Sequence, residues 1–164
     1  TAAAAAAAAA AVKLAVEKAA TTPLTTRSPP PAVPAAEGAS YPSGLVVANE
    51  FDAKRCKLFL AGRVRKVASP CCALTVGAAQ GLPLEAFGQS FDRVLADVPC
   101  SGDGTLRKDP TLWRAWSPRD ALELHTTQLR ILKRALLLVK PGGMVCYSTC
   151  SFNPIENEAV VCAA

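Results

Sequence analysis

The sequence lacks three things at once: a CxxC pair, a GxGxxG loop and, beyond residue 20, any apolar run long enough to span a bilayer. The last absence removes a membrane-spanning helix. Cysteines stand at 56, 71, 72, 100, 146, 150 and 162. Their odd number and their spacing fit neither a disulfide framework nor a zinc ligand set, so no metal is expected. Reduced thiols in an intracellular compartment are the better reading. Without GxGxxG, and with no use for strand-end cysteines in hydride transfer, a nicotinamide-dependent enzyme is a weak option. Charge of one sign is also short: 18 basic and 13 acidic residues leave a net charge of +5. That mild excess fits an acidic partner such as RNA without requiring one.

What is present divides at Gly44. Residues 1–43 are Ala- and Pro-rich and of low complexity, read as a disordered segment with a polyproline linker near Ser28-Pro29-Pro30-Pro31. The Ala run has helix propensity but no amphipathic face to anchor it. Its basic residues, Lys13 and Lys18, follow the run, and residue 1 is Thr. A secretory signal has the opposite order, so the simplest expectation is a fragment whose true start lies upstream. Residues 44–164 read as one partial domain of alternating strands and helices. Strands are expected at Leu45–Ala48, Cys71–Val76, Phe91–Ala96 and Met144–Tyr147. A helix is expected from Asp52 to Lys66, with Cys56, Phe59, Leu60, Val64 and Val67 on one face, and Ala68-Ser69-Pro70 breaks it. A longer helix starts at the capping box Ser117-Pro118-Arg119-Asp120 and runs to Val139. Leu122, Leu129, Leu132, Leu136 and Val139 form its expected core stripe. A last helix should run from Ile155 to Cys162. This α/β alternation implies parallel pairing and right-handed crossovers.

Two stretches carry the chemistry. Arg93-Val94-Leu95-Ala96 runs into Asp97-Val98-Pro99-Cys100-Ser101-Gly102-Asp103-Gly104-Thr105, and Gly143-Met144-Val145-Cys146 runs into Tyr147-Ser148-Thr149-Cys150-Ser151. Open α/β sheets bind ligands beyond the carboxyl ends of their strands. Two such ends, each bearing a cysteine, suggest two thiols facing one cleft. Cys100 and Cys150 read either as small buried hydrophobes or as nucleophiles activated by a lowered pKa. Asp97 either caps the next turn, binds a ligand at the cleft mouth or holds a proton. Glu50 is either a helix N-terminal acid or, at a strand end, an acid for ribose hydroxyls. Trp113 and Trp116 can stack on bases, with Arg107, Lys108 and Arg114 on phosphates; equally, they form a hydrophobic lid with solvated charges. His125 reads as helical surface or packing.

DVPCSGDGT followed by YSTCSFNPIENEAVV strongly resembles the RNA cytosine-5 methyltransferases of the RsmB/NOP (NOL1/NOP2/Sun) family. LRKDPTLWRAWSP, LHTTQLRILKRAL and VKPGGMVCYSTC match its eukaryotic tRNA branch (Trm4/NSun2-like). The likeness covers about residues 44–162. It implies a partial Rossmann-like S-adenosylmethionine-dependent fold, with the strand bearing the glycine-rich motif and the last strands missing. It implies methylation of C5 of cytosine in RNA, most of all tRNA, by a catalytic set of Cys150, Cys100 and Asp97. Cys150 would attack C6, Cys100 would help remove the C5 proton or release the adduct, and Asp97 would hold the cytosine edge near the cofactor. S-adenosylmethionine would be held by Glu50 and Asp97, and an RNA substrate agrees with the reading of Arg107, Lys108, Trp113 and Trp116 as nucleic-acid contacts. The base must be flipped or single-stranded for the ring to be reached.

Three departures stand beside the likeness. Glu50 replaces the usual Asp. Ala78, in Thr75-Val76-Gly77-Ala78-Ala79, stands where the family has an Asp for adenine. The glycine-rich first motif is absent from the sequence. The expectation is therefore an inactive fragment of the enzyme, with a non-catalytic RNA-binding or scaffold relative as the alternative. A monomer without membrane contact is expected. The tRNA branch implies the nucleus or nucleolus, and an organelle is the other reading.

Overall fold

A computed structural model describes residues 44–67 and 71–164. The low-complexity reading of 1–43 and the break at Ala68-Ser69-Pro70 lie outside the described residues. The chain divides into two compact units, Thr1–Ala78 and Ala79–Ala164.

In the first unit, β1 (Val46–Glu50) pairs in parallel with β2 (Cys72–Val76), in register from Val46 opposite Cys72 to Glu50 opposite Val76. Parallel neighbours need a crossover, and a helical run supplies it. This run is α1 (Ala53–Arg55), a π-helical stretch (Cys56–Leu60) and α2 (Ala61–Val67). Asp52 caps it, its carboxylate accepting from Arg55 N at 2.8 Å. The expected helix is thus found, but one turn is widened: the Ala61 N–H donates to Cys56 O, five residues back. Of its expected face, Cys56 is buried and Val64 half-buried. The side chains of Phe59, Leu60 and Val67 lie outside the described residues.

The second unit opens with a 3₁₀ turn (Ala79–Gly81) and the short α3 (Leu84–Phe87). Phe87 then stacks on Phe91 with ring centroids 5.8 Å apart. β3 (Phe91–Asp97) pairs in parallel with β4 (Val139–Ser148), and Arg93 to Asp97 face Met144 to Ser148 in register. Between them lie a 3₁₀ turn (Asp103–Thr105), α4 (Leu112–Ala115) and the crossover helix α5 (Pro118–Leu138). A short α6 (Glu158–Ala163) closes the chain. It starts three residues later than the sequence suggested, because 154–157 form a turn.

β4 begins earlier than expected, at Val139, and the register slips between Phe91 and Arg93. Lys140-Pro141-Gly142-Gly143 is the extra length and forms a bulge in the strand. A Cβ on Gly143 would lie 2.7 Å from Asp92 O and 2.5 Å from a methyl of Val139, so only glycine fits there. Lys140 and Asp92 pair across the bulge, and this ion pair holds the Asp92 carboxyl below its ordinary range.

Strand alternation sends Val94, Ala96 and Val98 to one face. There they pack with Ile131 and Ala135 of α5 and with Val145 and Tyr147. The expected stripe of α5 needs correction. Its buried residues are Ala121, Gln128, Leu132, Ala135 and Leu138, while Leu122 is 61% and Leu136 45% exposed. The buried face is built around two alanines and a glutamine, because small side chains let the helix lie close on the sheet.

α5 starts as its sequence dictates. Ser117 accepts from Arg119 N at 3.1 Å, Asp120 accepts from Ser117 N at 3.0 Å, and Pro118 takes the first helical position. Ser117→Ala should therefore lower the unfolding free energy by about 1 kcal/mol. A lower urea midpoint at unchanged slope is the expected reading; an unchanged midpoint would show that the cap carries no weight.

Candidate active site

In-register parallel pairing ends β3 and β4 together, Asp97 opposite Ser148. The chains leaving those ends therefore start side by side. Val98 N donates to Ser148 O at 3.0 Å, extending the ladder by one step. Beyond it the first loop turns on Gly102 and the second on the serine–threonine run 148–151. Gly104 N then donates to Cys150 O at 2.9 Å. A Cβ on Gly104 would lie 2.7 Å from that carbonyl, so the approach is open only to glycine. Phe152 N donates to an Asp103 carboxylate oxygen at 2.9 Å, making a further tie between the loops.

These ties bring two sequence-predicted residues into contact. Cys100 Sγ and Cys150 Sγ are 2.8 Å apart, and Cys150 N donates to Cys100 Sγ at 3.1 Å. Cys150 is exposed and Cys100 half-buried. Burial, followed by the hydrogen bond to Cys150, pushes the Cys100 thiol up from 9.0 to about 11. Cys100 therefore keeps its proton at neutral pH and can share it with the Cys150 sulfur.

Asp97 lies at the exposed end of β3. Its carboxylate makes no hydrogen bond or ion pair among the described residues and does not touch the thiols through one. It is free to take a ligand's hydroxyl or amino group. Glu50 ends β1 in the other unit and is engaged locally. Its Oε1 accepts from Asp52 N at 3.1 Å and its Oε2 lies 3.7 Å from Arg55. Ala78, at the end of that unit, offers no polar side chain. Arg107 and Lys108 are exposed, and Trp113 is 70% exposed. Trp116 is different: it is half-buried, with its indole Nε1 shielded and without a partner. Trp113 is presented to solvent and Trp116 is packed.

The sequence reading missed the polar centre behind the thiols. Glu156 and Gln128 are both wholly buried. Glu156 accepts from Ser101 N (2.8 Å), Ser101 Oγ (2.5 Å), Ser151 Oγ (2.6 Å) and Gln128 Nε2 (2.9 Å). Burial alone would raise its pKa; the bonds from Ser101, Ser151 and Gln128 outweigh that and hold it below the ordinary glutamate range. Gln128 also donates to Pro99 O at 2.9 Å. Tyr147 OH donates to Glu156 O at 2.7 Å. Burial, then the charge of Glu156, lifts that phenol to about 12. His125 Nδ1 lies 2.7 Å from Ile155 O, and since a carbonyl only accepts, that nitrogen carries the proton. A glutamine in the midst of a leucine-rich helix was the one signal available in the sequence.

Among the described residues no group of three His, Cys, Asp or Glu could hold a metal ion, and no helix is long and apolar enough to cross a membrane.

Comparison with known proteins finds consistent relatives. The family profile described as 16S rRNA methyltransferase RsmB/F matches residues 38–164. A curated relative, the multisite-specific tRNA:(cytosine-C(5))-methyltransferase trm4b of Schizosaccharomyces pombe, is 48% identical over 137 residues, which is 74% of this chain and 20% of that protein. The crystal structure of PH0851 superposes with a TM-score of 0.66 at 33% identity, over 72% of this chain and 26% of that one. A methyltransferase homolog protein from Pyrococcus horikoshii gives a TM-score of 0.53 at 28% identity, over 72% of this chain and 35% of that one. The described fold is thus a partial Rossmann-like methyltransferase fold of the S-adenosylmethionine-dependent class. The chain spans about a fifth of the length of the curated relative.

The raised Cys100 pKa has a pH signature. A group whose pKa is higher folded than unfolded contributes stability below its unfolded value and loses it as pH rises through its folded one. The stability gap between the chain and Cys100→Ala should be constant below pH 9.0 and should shrink toward about 11. Urea titrations across that window read it, and a gap that widens with pH would reverse the assignment.

Proposed function

The chain belongs to the 16S rRNA methyltransferase RsmB/F family, and we propose that it carries the two-cysteine centre of an enzyme that methylates C5 of cytosine in RNA. The observation that carries the reading is the 2.8 Å approach of Cys100 and Cys150 from two separate strand ends. C5 of cytosine is a poor nucleophile. When the Cys150 thiolate bonds to C6, the C5–C6 double-bond electrons move to C5, which can then take a methyl group. Loss of the C5 proton and cleavage of the C6–S bond restore the ring. Cys150 suits the first role because it is exposed. Cys100, which holds its proton tightly, suits the handling of a proton during release.

The donor in this proposal is S-adenosylmethionine, which supplies a methyl group on a sulfonium when bound. The unpartnered Asp97 carboxylate fits a cation or hydroxyl at the strand end. Glu50, whose Oε1 accepts from Asp52 N, keeps lone pairs for a ribose hydroxyl at the end of β1. Exposed Arg107, Lys108 and Trp113 suit phosphates and a stacked base, and Trp116 supports their loop from within. The substrate proposed is tRNA, on the printed activity of the Schizosaccharomyces pombe relative. Residence in the nucleus belongs to the same proposal.

Ala78 and the locally engaged Glu50 favour a second reading, an RNA-binding relative without cofactor. Calorimetry of the full-length protein with S-adenosylmethionine separates the two: heat of binding at micromolar cofactor supports the enzyme, and none supports the relative without cofactor.

In the full-length protein, Cys150→Ala should abolish cytosine methylation, at least about 1,000-fold as for removal of a covalent nucleophile. Cys100→Ala should accumulate an RNA–protein adduct that survives denaturing gels. Full methylation by the Cys150→Ala protein would remove the mechanism.

A further inference from the structure

Glu156 does nothing in the chemistry above, yet its burial is complete. A carboxylate taken out of water needs its lone pairs filled. No lysine or arginine pairs with it among the described residues, and donors from three segments fill them instead. Oε1 accepts from Ser101 N and Gln128 Nε2, at 2.8 and 2.9 Å. Oε2 accepts from Ser101 Oγ and Ser151 Oγ, at 2.5 and 2.6 Å. Ser101 follows Cys100 directly, and Ser151 follows Cys150 directly. Each thiol is thus one residue from a tether to the same carboxylate. A carboxylate only accepts, so both hydroxyls must turn toward it. The two serine oxygens end 3.5 Å apart, beside sulfurs 2.8 Å apart.

We propose that Glu156 is a positioning residue: it clamps Ser101 to Ser151 and so sets the separation of the Cys100 and Cys150 sulfurs. The clamp rests on the methyl-transfer reading for its purpose, though not for its test. Gln128 is its second half, joining the carboxylate to Pro99 O and hence to α5. The ties at Gly104 and Asp103 keep the loops adjacent when the clamp is lost. What loosens is the spacing of the sulfurs. Glu156→Gln keeps one accepting oxygen, and its amide can donate to serine oxygens that rotate to accept, so it should retain most of the function. Glu156→Ala leaves the donors facing a void.

The spacing can be read without any RNA. The chain is equilibrated with reduced and oxidised glutathione, quenched in acid and mapped by mass spectrometry for a Cys100–Cys150 disulfide. Each such bond releases two thiol hydrogens and reduces one oxidised glutathione to two glutathione molecules. The equilibrium gives the effective concentration of one sulfur at the other. Glu156→Ala should lower it ~tenfold or more, and Glu156→Gln less than about threefold. A merely stabilising residue would lower the urea midpoint and leave the folded-state value unchanged. An unchanged effective concentration in folded Glu156→Ala would overturn the proposal. Should that variant not fold, Ser151→Ala decides: it removes one tether without burying a new charge. It should lower the effective concentration about threefold, and no change would overturn the clamp. In the full-length protein, Glu156→Ala should reduce kcat about 100-fold, as for a small misplacement of reacting groups, and leave the KM for RNA within about twofold. Because the disulfide readout needs no methyl transfer, a failed clamp and a failed methyltransferase reading give different results.

Discussion

The parallel, in-register pairing of β3 with β4 is the constraint on which the site depends. Two strands running the same way end at the same edge, and here they end level, Asp97 beside Ser148. An antiparallel pair joined by a hairpin would have sent the two cysteine-bearing loops to opposite edges. The bulge at Lys140-Pro141-Gly142-Gly143 is part of this constraint. It absorbs the extra length after α5, so that the strand is back in step before its last five residues.

Past the strand ends the backbone ladder gives way to a polar scaffold. Serine hydroxyls, a buried glutamine and a buried carboxylate take over from main-chain bonds as the means of holding two loops together. Such networks cost little when every group is paired and a great deal when one is not. The scaffold here is nearly complete: Gln128 Oε1 is a buried oxygen without a partner, while its amide donates to two acceptors. The negative charge sits on the inner side of the loops. Tyr147 stays neutral beside it and donates to the Glu156 main-chain carbonyl, and the thiols occupy the outer side.

Much of this was legible in the residues. Short apolar runs marked three of the four strands closely, and the capping box at Ser117 marked the start of α5 to the residue. The paired cysteine motifs pointed to one cleft because two short strands ending in small polar residues have few other arrangements. The miss on α5 has a physical origin. The stripe was drawn through leucines, but the helix packs on the sheet through Ala135 and Ile131, where the small alanine permits close approach, and Leu122 and Leu136 turn outward. Glu156 was hidden for a related reason. Its role depends on Ser101, fifty-five positions earlier, and no local pattern reports a partner at that distance. The difference between Trp113 and Trp116 was equally invisible, since three residues of a short helical turn decide which ring faces water.

The two sulfurs are separated by fifty positions in the chain and joined by one crossover. Contacts of that span form only after their intervening segment has been ordered. During synthesis Cys100 leaves the ribosome long before Cys150 does, and neither α5 nor β4 can yet hold them together. The dithiol centre is therefore a product of the last stage of assembly of this unit, and a nascent chain stalled within α5 carries the first loop without the Cys150, Phe152 and Glu156 partners that hold it.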